Sequence, residues 1–248
     1  MLIATLPILA PLALAGAAFL AFRGPQMRPF QVLRQIEWIA LAALAVAVVS
    51  AGVLILHGAA TSPLIGLFGM GISVRLDPVS AVMLLLVSFV GWVVLRFAAT
   101  YMDGDERQGP FTGWLCATLS TVMMLVIAGN ILQLAVAWIV VSLFLHKLLL
   151  HYPDRVAARR AGHKKWITAR MGDGALLIGG VALLATYGTG DIAQILEAAR
   201  LGQGAAMAPW IATALAVAAM LKSAQFPMHG WLTEMMETPP PVAALLHA

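Results

Sequence analysis

The sequence predicts an all-α fold: a polytopic transmembrane helix bundle of about seven spanning helices, with a truncated eighth at the C-terminus. Three observations predict it. The 248 residues are 61% hydrophobic and 10% charged, with a mean hydropathy of +0.91, whereas soluble domains carry roughly 25% charged residues and about half apolar ones. Apolar runs of spanning length, about 20 residues, recur along the chain, each bounded by charge, Gly or Pro. Between those runs the basic residues fall on alternate loops, the pattern that positions successive helices across a membrane.

The elements follow in order. Residues 2–22, "LIATLPILAPLALAGAAFLAF", carry no charge before Arg23. The basic start of a secretory signal is missing and the run is long enough to span, so a retained helix is expected. Further spans are expected at 36–56, 77–97 and 111–129. The last of these holds the single cysteine, Cys116, which excludes a disulfide framework and a cysteine metal site. The fifth, 131–151, is apolar only to Leu145 and then carries His146 and Lys147. The sixth, 166–187, holds Arg170 and Asp173 near its start. The seventh, 209–226, contains Lys222 and runs into Pro227, which should break or kink it. An eighth begins near Pro239 and is cut off by the chain end. In the connection 188–209, "DIAQILEAAR" has helical spacing and predicts a short surface helix. Strands are not expected, because the apolar runs are continuous and far longer than barrel strands. Residues 1–248 read as a single transmembrane domain.

Twelve of the 15 Lys and Arg residues lie on one set of alternate loops or at the helix ends beside them. They are Arg23, Arg28 and Arg34; Arg96 and Arg107; and Lys147, Arg155, Arg159, Arg160, Lys164, Lys165 and Arg170. The other loops carry only Arg75 and Arg200. The positive-inside rule then puts the N-terminus outside and the basic loops in the cytoplasm. The formal charge of +4 is thereby a matter of topology, with lipid headgroups in contact with "RRAGHKK", and no nucleic-acid partner is expected. "GMGISV" lacks a third glycine and a preceding strand, so no dinucleotide site is expected. No set of residues has metal-ligand spacing, and no cofactor is expected in this chain.

Polar residues within spanning helices are costly and usually face a bundle interior or a water path. Lys222 admits two readings: an amine that snorkels to the interface, or a buried amine beside a helix break that takes and releases protons. His229 and Glu234 follow the break. Glu234 could face a water path or lie in a solvated loop. Arg170 and Asp173, three apart, could form a simple ion pair or part of a relay. His146, Lys147 and His151 could be a proton entry or the basic end of a helix. The proton-relay candidates are therefore Lys222, Glu234, Asp173, His146, Lys147, His229 and, in the closing motif, His247.

The stretch "KSAQFPMHGWLTEMMETPPPVAALLHA" (222–248) closely resembles the signature of the antiporter-like membrane subunits, approximately K-S-A-Q-x-P-x-x-x-W-L-x-x-A/M-M-x-x-P-T-P-V-S-A-L-x-H-A. That family includes the NADH-quinone oxidoreductase subunit 5 (NuoL) type, the Mrp-type cation/proton antiporter subunits, and the DabB subunits of inorganic carbon uptake. "RLDPVSAVMLLLVSFVG" resembles the family's third helix, with Asp77 as its starting acid, and "ITARMGD" its sixth-helix start. The resemblance covers about residues 75–248. The family's seventh-helix lysine falls on Lys222, whereas its fifth-helix glutamate falls on Ile139, and Pro240 and Ala243 stand where Thr and Ser are usual. "LHKLLLHYPDRVAARRAGHKKWITARMGD" is most similar to the DabB type. His146, seven residues after Ile139, is placed to take over part of the missing acid's role.

The resemblance implies a fold of two inverted five-helix repeats with flanking helices, of which this chain would be the N-terminal part, as a truncated chain, a gene fragment or a split reading frame. It implies a proton- or cation-conducting subunit in a bacterial inner membrane, without enzymatic activity of its own. Its partner would be a peripheral DabA-like subunit on the cytoplasmic face, carrying zinc and similar to β-carbonic anhydrases. Two alternatives remain open: a respiratory or Mrp-type subunit, which Ile139 argues against, and a non-conducting structural fragment.

Overall fold

The computed structural model describes residues 2–67, 70–226, 228–233 and 238–247. A 3-10 segment, Leu2–Ile8, leads into α1 (Leu9–Arg23). There follow α2 (Phe30–His57), α3 (Pro78–Tyr101), α4 (Gln108–Val126), α5 (Ile131–Leu149) and α6 (Val156–Tyr187). After these come α7 (Ile192–Arg200), α8 (Ala208–Lys222), the single turn α9 (Gly230–Thr233) and α10 (Pro240–His247). Among the described residues six helical segments are long and apolar enough to cross a membrane, the first being Ala4–Arg23, which joins the end of the 3-10 segment to α1, and α8 is a shorter apolar helix of 15 residues. At 1.5 Å per residue α8 spans about 22 Å, less than the roughly 30 Å of a hydrocarbon core. The expected bundle of seven apolar helices is thus present, with α8 ending at Lys222 rather than at residue 226. The expected eighth helix corresponds to α10.

Local chemistry sets the starts. Asp77 caps α3 with a capping box: its carboxylate accepts from the Ser80 N–H at 2.7 Å and the Ser80 hydroxyl oxygen accepts from the Asp77 N–H at 2.8 Å, with Pro78 in the first turn. Asn130 and Asp191 cap α5 and α7 more simply, their side-chain oxygens accepting from the Leu132 and Gln194 N–H groups. The surface helix expected in "DIAQILEAAR" is therefore observed as α7. Two helix starts fall well before expectation. α2 begins at Phe30, and α6 begins at Val156, ten residues early, because "RRAGHKK" has no proline and its lone Gly162 is tolerated within the helix.

The bundle packs α1 on α4 and α2, α2 on α3, α3 on α4, α4 on α5, α5 on α6, and α6 on α8. α1 buries Ala10, Leu14, Ala17, Ala18 and Ala21, and α2 buries Ile36, Ala40, Ala43 and Ala47. Small residues at this helical spacing let membrane helices approach closely. Large side chains such as Trp38, Val48, Val49 and Ile55 point outward and are exposed, an apolar exterior suited to lipid.

The connections gather at two ends. At the basic end, Arg28 pairs with Asp103 at 3.3 Å, the Gly109 N–H donates to the Gln26 carbonyl, and Arg107 donates to the His151 carbonyl at 2.7 Å. These bonds tie together the loops before α2, α4 and α6. At the other end the sequence-based expectation of no strands is corrected. The connection between α2 and α3 contains β1 (Ala60–Thr61), β2 (Ile65–Leu67), β3 (Met70–Ile72) and β4 (Arg75–Leu76), with antiparallel pairs β1–β4 and β2–β3. Hydropathy reports only long apolar runs. These short pairs form where a loop must satisfy its own backbone groups, helped by Arg75 N–H donating to Ile127 and Gly129 N–H to Ser73.

Candidate functional site

A cavity of about 170 Å³ lies between α5, α6, α8, α9 and α10, lined by Ser142, Leu145, Lys165, Thr168, Ala169, Leu221, Lys222, Trp231 and Leu246. Two lysines enter it from different helices. Lys222, at the last residue of α8, donates to the Trp138 carbonyl at 2.9 Å, and its ammonium sits 4.6 Å from the centre of the Trp138 ring. Lys165, 5% exposed, donates to the Ser142 carbonyl at 2.6 Å and reaches the Ser142 hydroxyl at 3.4 Å. Trp138 and Ser142 are one turn apart on α5, so both ammoniums dock along one edge of that helix. An ammonium has three donors, and each lysine satisfies only part of its set this way.

The end of α8 is what places Lys222. The Ser223 N–H and hydroxyl both donate to the Ala219 carbonyl, at 2.9 and 2.8 Å. Ala224 takes a left-handed φ of 51°, and the Gln225 N–H donates back to Met220 at 3.3 Å. This is a Schellman-type stop with alanine where glycine is usual. Left-handed backbone at a β-carbon-bearing residue costs about 1–2 kcal/mol, so packing around the break must hold it. α6 admits α8 closely: a β-carbon at Gly179 would sit 2.9 Å from Leu215, and one at Gly172 would sit 3.4 Å from Leu221.

Asp173, 5% exposed, is paired with Arg170 at 2.7 Å across one turn of α6, the i,i+3 pair anticipated from sequence. It exerts a coulombic influence on both lysines. The other sequence candidates are dispersed. His146 lines a different cavity, of about 380 Å³, with Leu150, Arg159, His163 and Trp166. Its Nδ1 is buried without a hydrogen-bond partner. Lys147 is exposed on the far side of α5. His229 is exposed and stacks on Phe226, ring centres 5.8 Å apart. Glu234, Pro227 and the side chain of His247 lie outside the described residues. Ile139 is half-buried one turn before Ser142, and α5 carries no acid.

Sequence reading missed Lys165, counting it among the topological charges of "RRAGHKK". A usable signal was present. Ala158, Ala161, Gly162, Lys165, Thr168, Ala169, Gly172 and Asp173 recur at helical spacing as a stripe of mostly small residues, and all are buried. Extending that stripe upstream of Trp166 puts Lys165 on the inner face.

At the basic end a second polar cluster ties α4 to the α5–α6 connection. Asp105 accepts from the Arg107 N–H at 2.8 Å, from the Tyr152 hydroxyl at 2.9 Å and from His151 Nε2 at 3.3 Å. Burial raises the Asp105 carboxyl, but the Arg107 N–H, the Tyr152 hydroxyl and His151 together hold it below its ordinary value. Burial lowers the His151 imidazole, Asp105 raises it in part and Arg107 lowers it again, leaving it below its ordinary value. At neutral pH the ring is therefore neutral, and the contact is a hydrogen bond donated by Nε2 rather than an ion pair.

A membrane bundle with a broken helix beside two interior lysines defines a multi-pass protein of the transport-subunit class. The chain belongs to the antiporter-like subunit family. A family model described as "NADH:quinone oxidoreductase/Mrp antiporter, TM" matches residues 128–248, and one described as "NADH-Ubiquinone oxidoreductase (complex I), chain 5 N-terminus" matches residues 64–112. Over 177 residues, 71% of this chain and 34% of the relative, it is 40% identical to "Probable inorganic carbon transporter subunit DabB" of Hydrogenovibrio crunogenus. It is 35% identical over 188 residues, 74% of this chain and 28% of the relative, to "NAD(P)H-quinone oxidoreductase chain 5" of Synechocystis sp.. The fold superposes on a chain of the "Structure of Mrp complex from Dietzia sp. DQ12-45-1b" with a TM-score of 0.78 at 26% identity, covering 96% of this chain and 26% of that one. The chain spans about a third of the length of the DabB relative.

Proposed function

We propose that this chain is the N-terminal part of a DabB-type membrane subunit that conducts protons or cations and couples that flux to inorganic carbon uptake. The observation that carries the reading is Lys222: an amine at the end of a short, broken helix, held in the bundle interior beside a cavity rather than at a lipid-facing edge. A protonatable amine in such a place can take a proton, move it and release it. Asp173 is the charged partner on α6, and Lys165 is a second amine lining the same cavity. The 40% identity to the DabB relative supports the inorganic-carbon assignment. The partner on this reading is a peripheral zinc-bearing subunit that docks on the basic end, with that end in the cytoplasm, the N-terminus outside, and the chain in a bacterial inner membrane.

The test is co-purification and flux. A tagged chain in its native membrane should bring down a zinc protein, and carbon uptake by that complex should collapse when a protonophore dissipates the gradient. A second reading, an Mrp-type antiporter subunit, is favoured by the structural likeness to the Mrp chain. Recovery of Mrp-type or respiratory subunits in place of a zinc protein would decide for it.

A further inference from the structure

We infer that the cavity between α5, α6 and α8 is a binding site for a small monovalent inorganic anion, seated between Lys165 and Lys222. The inference rests on reading this cavity as the functional site, but it does not require conduction. The charges motivate it. Lys165 and Lys222 both line the cavity, Arg170 lies close enough to act electrostatically on each, and among the described residues the carboxylate acting on them is Asp173. That carboxylate is already held by Arg170 at 2.7 Å. Buried charge without a counter-charge is strongly disfavoured. Carbonyls at Trp138 and Ser142 and the Trp138 ring supply dipoles but no negative charge.

Space and donors fit the same conclusion. A water's share of liquid volume is about 30 Å³, so a cavity of about 170 Å³ holds a chloride-sized or nitrate-sized ion with water. Each lysine spends one direction on an α5 carbonyl and retains further N–H donors. The Ser142 hydroxyl and Thr168 line the same space. Lysine is a compact point charge with rotatable donors, suited to a small ion without a fixed fork geometry. α5 offers no acid of its own, and a diffusible anion supplies the charge that the helix lacks.

The test is thermal denaturation of the purified chain in detergent, with sodium nitrate or sodium chloride titrated against sodium gluconate at equal ionic strength. Nitrate and chloride should raise Tm saturably, on the order of 4 °C above gluconate for a chain of this size. Lys165→Gln and Lys222→Gln should each abolish that difference, and Arg34→Gln, on the exposed face of α2, should retain it. Two lysine variants are made so that a folding failure in one leaves the other to report. General salt effects persist in every variant and cancel in the comparison. Equal Tm in all three salts, or a difference that survives both lysine substitutions, overturns the site. Because no gradient is involved, failure here leaves the conduction reading standing, and loss of flux in the proposed complex leaves this site standing.

Discussion

The Lys222 ammonium is anchored on Trp138, 84 positions earlier in the chain, by a 2.9 Å hydrogen bond to the main-chain carbonyl and by a 4.6 Å approach to the indole ring. The pairing joins the end of α8 to the middle of α5. A snorkelling lysine would turn its head to the interface, whereas this one turns inward. Cation–π contact contributes about 0.5–2 kcal/mol and a hydrogen bond from a charged donor about 1.5–3 kcal/mol. Both remain when the residue is arginine, but proton release does not. On the proposed function, Lys222→Ala and Lys222→Arg should therefore each reduce proton-coupled uptake by the proposed complex roughly tenfold or more, an increase of about 1.4 kcal/mol in the barrier. Expression and partner recovery should stay normal. Full transport by the arginine variant would reduce Lys222 to a fixed charge.

Close packing of α6 on α8 sets the position of that amine. Gly179→Val would drive a side chain against Leu215, whose Cδ2 lies 2.9 Å, and whose Cγ lies 3.2 Å, from where the new β-carbon would sit. Overpacking of this kind costs about 1–3 kcal/mol, and α8 should move outward, carrying Lys222 off Trp138. Gly174→Ala meets nothing within 4 Å and should be neutral or slightly stabilising, since alanine is the better helix former by about 1 kcal/mol. Thermal melting separates the two, and quenching of Trp138 fluorescence reports the displaced ammonium. Equal behaviour of the two variants would show that α8 is not held by this contact.

Much of the bundle was legible because the bilayer imposes one length and one polarity on every span. Long apolar runs and the charges between them located six spans and α8 to within a few residues in most cases. The surface helix α7 was legible from its spacing. The errors have particular causes. α6 starts at Val156 because a helix can extend past the hydrocarbon, where charge no longer reports its end. The short strands at 60–76 arise from backbone pairing that leaves no mark in hydropathy. In the site, Lys222 was legible from its place before a proline, and the Arg170–Asp173 pair from its spacing. Lys165 was not, since its charged neighbours in "RRAGHKK" (Arg159, Arg160, His163 and Lys164) face out and only the helical phase distinguishes it. His146 shares a helix face with Ile139 in sequence, yet seven residues of advance carry it into a separate cavity.

The alternation of basic loops is converted into a labelling experiment by the two ends of the bundle. Cysteines at Ala59 and Gln203 lie at the end bearing β1–β4 and α7, and cysteines at Asp154 and Arg160 lie at the basic end; all four positions are exposed. The native Cys116 is buried and adds no background. On the proposed orientation an impermeant maleimide applied to intact cells should modify positions 59 and 203 and spare 154 and 160 until the membrane is opened. Labelling of 154 or 160 from outside would reverse the proposed topology and move the proposed docking face with it.

The Asp105–His151 cluster gives the basic end a pH dependence whose sign can be worked out. Asp105 has a depressed folded-state value, so its stabilisation is present above the unfolded value and is lost as pH falls through the folded one. His151 is also depressed, so between its folded value and the ordinary value near 6.5 the unfolded chain binds the proton more readily. Stability then rises with pH across that window. Protonating His151 would place a cation beside Arg107, whose guanidinium already donates to the His151 carbonyl at 2.7 Å. Asp105 offsets part of that cost, which is why the slope should stay below the one-proton limit of about 1.4 kcal/mol per pH unit. Melting temperature should fall as pH is lowered from 7.5 to 5.5, and His151→Gln, which keeps a donor toward Asp105, should flatten the upper part of that fall. Asp105→Asn should lower stability at pH 7.5 and leave His151 without its carboxylate, so that the His151 part of the slope steepens and moves to lower pH. A wild-type profile that is flat over this range, or one that His151→Gln does not alter, would remove the cluster as the source of any pH response at the basic end.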